Sequence, residues 1–164
     1  MVKMKNLVNK KIRGATITEY DGKTFKSKLE VGIYKYLQSI SIKTDYEVEK
    51  ILIWDSGNLT VPYFDKWGKT FQHIKRKASG ITYTPDFVFN YKGITVFLEA
   101  KGFKNDVTPY KIKLFRKWLE VNKYKTFNNK VCFAVVYSVK NLKEFLLELD
   151  NLIKNNTFAN EKTI

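Results

Sequence analysis

The sequence has one cysteine, one histidine and three prolines in 164 residues. Cys132 alone cannot close an intramolecular disulfide, and its solitude fits a reducing compartment. One cysteine and one histidine cannot assemble a Cys/His zinc site, and they set aside His-based nucleophile triads. His73 reads as an ordinary surface residue in a loop, and Cys132 as core. Long apolar runs are missing too. The longest stretches without a charge are nine residues, Val131–Val139 among them, where a bilayer span needs about 20 apolar residues. No apolar block follows the basic N-terminal stretch, so neither a secretory signal nor a membrane partner is expected. Acids are scarce: 16 Asp and Glu stand against 30 Lys and Arg, for a net charge of +14. A small protein with that excess usually faces a polyanion.

The hydrophobic content of 44%, with 15% aromatics, is that of a globular chain. Its length suits one domain with a proper core. The positive charge is clustered. Lys101 to Lys130 carries nine basic residues against Asp106 and Glu120, Met1 to Arg13 adds +5 without an acid, and Lys66 to Lys77 adds +5. Arg occurs only at 13, 76 and 116, which favours neutralising a phosphate backbone over bidentate reading of bases. The candidate DNA contacts are Lys75, Arg76 and Lys77 in one cluster and Lys104, Lys111, Lys113, Arg116 and Lys117 in another.

Periodicity and punctuation outline the elements. Residues 1–14 read as a flexible basic arm and 155–164 as a tail. Asp21-Gly22 signals a turn. Ser27 with Glu30 fits a capping box opening a helix that ends near Ser39, the Glu30 carboxylate reaching back to the Ser27 amide. Tyr46–Trp54 reads as a strand, Leu59–Phe64 as a second, and Asp65–Gly80 as a hairpin extension or mobile loop. Ile81–Phe89 and Ile94–Lys101 are strong strands whose short connection predicts an antiparallel hairpin. Thr108 and Pro109 start a helix to about Val121, with Tyr110, Leu114 and Trp118 in one apolar row. Trp54 also reads as core. Val131–Tyr137 is apolar throughout, as in a strand buried on both faces. A helix over Leu142–Ile153 closes the domain, which spans about 15–154. The fold class is α/β, one central mixed β-sheet flanked by helices.

Chemistry concentrates in Thr84-Pro85-Asp86 and Glu99-Ala100-Lys101. Glu99 and Lys101 are two apart on a strand and so share a face. Asp86 on the antiparallel neighbour can reach that face, and Pro85 holds Thr84 extended. These charges interrupt core-like runs, and burying them costs several kcal/mol unless something compensates. A hard divalent cation between the carboxylates would compensate. Spacing alone leaves open an internal acid–lysine pair at a sheet rim.

Tyr83-Thr84-Pro85-Asp86-Phe87, followed by Val96-Phe97-Leu98-Glu99-Ala100-Lys101-Gly102, resembles the PD-(D/E)xK nuclease core. It is similar in particular to phage endonuclease I type Holliday-junction resolvases. The stretch from Glu19 to Glu30 resembles small phage proteins of uncharacterised role, and the N-terminal subunit of heteromeric transposases has a similar core. The resemblance implies a restriction-endonuclease-like fold and a Mg²⁺-dependent endonuclease, with Mn²⁺ as substitute and no small-molecule cofactor. It implies catalytic roles for Glu30, Asp86, Glu99 and Lys101. The metal ligands would be Asp86, Glu99, the Ala100 carbonyl and Glu30. It further implies branched DNA as partner, a homodimer, and a cytoplasmic location, in the host cell if the chain is phage-encoded. The basic segment at about 55–80 departs from the family as an insertion. The alternatives are a transposase-like or restriction-like nuclease subunit and a non-catalytic basic DNA-binding protein.

Overall fold

Asp21 and Gly22 both adopt positive φ, 53° and 69°, which is the two-residue turn whose twist matches paired strands. It joins strands β1 (Thr18–Tyr20) and β2 (Lys23–Phe25). The computed structural model describes residues 16–47, 50–57, 59–75, 77–102 and 108–158. The expected arm at 1–14, Arg76, Lys104, Asp106 and the last six residues of the tail lie outside them.

Helix α1 (Lys28–Ser39) begins as the capping box predicts. Ser27 is extended, at φ −149° and ψ 157°, and its Oγ accepts from the Glu30 N–H at 3.2 Å. The reciprocal contact differs from expectation. The Glu30 carboxylate accepts from the Lys26 N–H at 2.9 Å and the Ser27 hydroxyl at 2.7 Å, not from the Ser27 amide.

Two expected strands are each broken in two. Tyr46–Trp54 divides into β3 (Thr44–Tyr46) and β4 (Ile51–Trp54), because Glu47 turns the chain at φ 49°. Ile81–Phe89 divides into β7 (Ile81–Tyr83) and β8 (Phe87–Tyr91). Pro85 has no N–H to donate to a ladder. The Asp86 carboxylate, not β8 backbone, takes the Ala100 N–H at 2.7 Å. Between the breaks, β5 (Phe64–Trp67) and β6 (Thr70–His73) form a hairpin around Gly68, where φ is 64°. The strand expected over Leu59–Phe64 begins only at its last residue, behind Pro62, which cannot donate to a ladder.

Strand β9 (Ile94–Ala100) pairs antiparallel with β8 around Lys92-Gly93. Helix α2 (Thr108–Phe127) then crosses to β10 (Val131–Val136), which pairs parallel with β9. Helix α3 (Val139–Lys154) follows, with the Ser138 hydroxyl capping its start. The central sheet has the order β10-β9-β8-β3 and is mixed. The architecture is therefore α/β, as the sequence predicts. Helix α2 runs past Val121 because the Phe127 ring packs on Phe97 and Trp118.

Alternation along the strands feeds two cores. Val96, Leu98 and Ala100 of β9 join Cys132, Ala134 and Val136 of β10 under α1 and α3. Phe97, Val131 and Phe133 face α2 through Phe115 and Leu119, with Tyr83, Ile51 and Ile53 alongside. Strand β10 thus has an apolar neighbour on both faces, which is why its run carries no polar alternation. No described helix is long and apolar enough to cross a membrane.

Candidate active site

The break at Pro85 and the end of β9 bring the predicted acids together. Glu99 lies on the same side of β9 as Phe97 and is buried, 5% exposed. Both of its oxygens are engaged. The Tyr83 hydroxyl donates to Oε2 at 2.5 Å, and the Lys101 ammonium pairs with Oε1. The Lys101 N–H continues the parallel ladder onto the Val136 carbonyl at 2.9 Å, which fixes the lysine backbone beyond the strand. Asp86 is half-buried, and its Oδ2 accepts from Ala100. Among the described residues nothing donates to Oδ1. The Ala100 carbonyl leaves the strand on the same side as its N–H, toward Asp86.

Electrostatics follow from this crowding. Burial pushes the Asp86 carboxyl up to about 7, the adjacent Glu99 charge adds to the rise, and the Ala100 N–H and Lys101 oppose it. Burial works against the Lys101 ammonium, but its hydrogen bond to Glu99 and the charges of Glu99, Asp86 and Glu30 outweigh burial and raise its pKa. Burial and the Glu99 charge raise the Tyr83 phenol, so it stays a donor. Asp86 is thus the member of the cluster whose charge is least compensated.

Glu30 stands differently. It is buried, and its carboxylate accepts from the Lys26 N–H, the Ser27 hydroxyl and the Tyr46 hydroxyl, the last at 2.5 Å. Its charge is felt at Asp86 and Lys101. Among the described residues, however, no three His, Cys, Asp or Glu side chains form a group able to hold a metal ion. The donors brought together at the strand ends are two carboxylates with a backbone carbonyl beside them. That set is hard, anionic and short of positive charge, and it fits Mg²⁺, which commonly takes one or two carboxylates and completes its shell with water and phosphate oxygens.

Tyr83 and Tyr46 are the site residues that sequence reasoning left without a role. The signal for Tyr83 was present: it precedes Asp86 by three residues inside the motif already singled out.

The basic candidates flank this site in sequence. Lys111, Lys113, Arg116 and Lys117 are exposed on α2, while Phe115 and Leu119 turn inward. Tyr110, expected in the apolar row, is instead 68% exposed, because it sits in the first turn, before the buried Phe115. Lys75 and Lys77 are exposed; Arg76 and Lys104 fall outside the described residues. His73 is exposed, but on β6 instead of a loop, with its ring stacked 5.1 Å from Phe64. Cys132 is half-buried, and burial raises its thiol to about 11. Trp118 packs on Phe115, whereas Trp54, expected in the core, is 40% exposed at the end of β4, in a two-stranded sheet. A cavity of about 620 Å³ lies between Leu59–Tyr63 and His73–Lys75 with Lys77 and Ala78, and not at the acids.

The chain belongs to the family described as "Protein of unknown function (DUF1064)", whose model matches residues 9–138. No curated protein and no solved structure matches it.

Proposed function

We propose that this member of the DUF1064 family is a metal-dependent DNA endonuclease with a restriction-endonuclease-like core, acting on branched DNA as a homodimer in the cytoplasm. One observation carries the reading: Asp86, Glu99 and Lys101 meet where β8 begins and β9 ends, with Asp86 held up to about 7. A structural ion pair needs one acid for one lysine. Here a second carboxylate is half-buried beside the pair, and a group perturbed in that way is a candidate for function.

Asp86, Glu99 and the Ala100 carbonyl would hold Mg²⁺, or Mn²⁺ in its place. The ion supplies a water of lowered pKa and a positive charge for a phosphodiester oxygen. The protein's own contribution is positional. Tyr83 fixes the Glu99 carboxylate through Oε2, and the Ala100 N–H fixes Asp86 through Oδ2. Lys101 brings the ammonium that orients the attacking water and offsets charge developing on the phosphate. Glu30 would join the metal ligands only by giving up its bonds to the N-terminus of α1 and Tyr46, as Glu99 would have to loosen its pairing with Lys101. The exposed cations of α2 would carry the DNA backbone. Two symmetric cuts in a junction need two active sites, which a homodimer supplies.

A second reading, a basic DNA-binding protein with internal acids, rests on the existing Glu99–Lys101 pair and on the fully bonded Glu30. The deciding test is a synthetic four-way junction and its linear arms, each incubated with and without Mg²⁺. Nicking of the junction by the wild type should vanish in Asp86→Ala and Glu99→Ala, while both variants still bind the junction in Ca²⁺. Wild-type rates in either variant would remove the site. Equal cleavage of the linear arms would replace the resolvase by a transposase-like or restriction-like nuclease.

A further inference from the structure

The insertion is a two-stranded ribbon rooted at the candidate active site. From Tyr83, bonded to Glu99, the chain runs back through the β4–β7 pair and the Gly57–Ala78 bridge to the β5–β6 hairpin. On that hairpin the register places Phe64 opposite His73 and Lys66 opposite Phe71, so these four side chains share one face. The rings form a row. Phe64 lies 5.1 Å from His73 and 6.2 Å from Phe71, with interplanar angles of 29° and 18°. The row is in water: Phe64 is 54% and Phe71 72% exposed. An isolated two-stranded hairpin is marginally stable at best, and rings left in solvent do little to hold it. A partner that covered the rings would stabilise the hairpin.

The surroundings name the partner's charge. Residues 59–80 carry five basic residues against Asp65 alone. The centres of protein–protein interfaces are depleted in lysine, and pairing with a second copy would set Lys66 among like charges. Near-parallel exposed rings with a cation beside them, here Lys66 on the same face, are how proteins hold unpaired nucleotides, with bases stacked on the rings and phosphates on basic side chains.

We infer that the β5–β6 face is a stacking platform for an unpaired stretch of DNA strand. That the polymer is DNA rests on the nuclease reading; the feature recognised is bases exposed at a branch or fork, not duplex. Binding is measured on the full chain in EDTA, where no cleavage occurs, with labelled oligothymidine and a linear duplex of equal length. Wild type should prefer the single strand. Phe71→Ala and Phe64→Ala should each weaken oligothymidine binding by about 5- to 150-fold and leave duplex binding nearly unchanged. Phe71→Trp should keep the affinity, and its added indole emission should be quenched by oligothymidine and not by duplex.

Equal losses on single strand and duplex, or no loss on either, would overturn the inference. So would an unquenched Phe71→Trp, or a dimer that Phe71→Ala dissociates in sedimentation, which would make the face an interface between copies. Single-strand preference that survives alongside an inert junction assay would keep the platform and remove the nuclease. Cleavage without that preference would do the reverse.

Discussion

Asp86 should make the protein more stable in acid than in base, and Asp86→Asn should abolish that slope. The folded-state pKa is raised from an ordinary 3.8 to about 7, by burial first and by the Glu99 charge second. Because the folded value lies above the unfolded one, binding the proton favours the folded state. The contribution is present in full below about pH 3.8 and is gone above about pH 7. At roughly 1.36 kcal/mol per unit the full contribution is on the order of 4 kcal/mol, more than half of it falling between pH 5 and 8. Asn keeps an oxygen to accept the Ala100 N–H and carries no charge, so it resembles the protonated acid at every pH. Urea unfolding in EDTA at pH 5, 6, 7 and 8 reads the effect. The variant should already exceed wild type by about 1–2 kcal/mol at pH 5, and by about 4 kcal/mol at pH 8. Mg²⁺ should then stabilise wild type at pH 8 more than at pH 5, because the ion must displace the proton, and should leave Asp86→Asn unmoved. Parallel pH profiles for the two proteins would refute this reasoning, and so would equal stabilisation of both by Mg²⁺.

Lys101→Ala should lower junction cleavage by about 10²- to 10⁴-fold with junction affinity nearly unchanged; a change confined to affinity, in a binding titration, would make Lys101 a phosphate contact. Lys113→Glu with Lys117→Glu should weaken binding to all sequences alike and flatten the salt dependence, by about 0.9 in log–log slope for each phosphate that is no longer neutralised. Circular dichroism should show the fold intact, since both residues are exposed on α2. Tyr83→Phe removes the donor to Glu99 Oε2 and should cost about 1–3 kcal/mol in urea unfolding, the range for a buried acceptor left unpaired. The pairing of Glu99 with Lys101 should survive in that variant, so cleavage should fall less than in Glu99→Ala.

The elements legible in the sequence were those written in one local pattern. The capping box at Ser27, the turn at Asp21-Gly22 and the uniform run of β10 each specify their geometry within a few residues. The breaks at Glu47 and Pro85 were not legible in the same way. An alternating stretch such as Ile81–Phe89 satisfies strand periodicity throughout, and its interruption depends on a hydrogen bond between Asp86 and Ala100, 14 residues away. Pro85 was visible as a restriction on Thr84. What could not be seen is that the absence of one ladder donor ends β7 and lets an acidic side chain complete the hydrogen bonding of the next strand. The length of α2 was missed for a similar reason: Phe127 is held by rings on β9 and on the helix itself, not by a local stop signal.

Within the site, spacing predicted the Glu99–Lys101 pair because two residues of one strand are bound to share a face. It predicted Asp86 because a hairpin has only one register that keeps both apolar faces buried. Glu30 shows where spacing alone is insufficient. The same Ser27-x-x-Glu30 pattern serves a helix cap and would serve an acid of the proposed nuclease core, and the two uses compete for the same two oxygens. The cap side has three donors in place, one of them the Tyr46 hydroxyl on β3, which no local pattern announces. Moving Glu30 onto a cation would leave the Lys26 and Ser27 donors to water, and loss of a capping arrangement costs about 0.5–2 kcal/mol. Glu30 acts on the Asp86 and Lys101 cluster from its capping position. Its charge already raises both Asp86 and Lys101, and that influence needs no ligand bond and no broken cap.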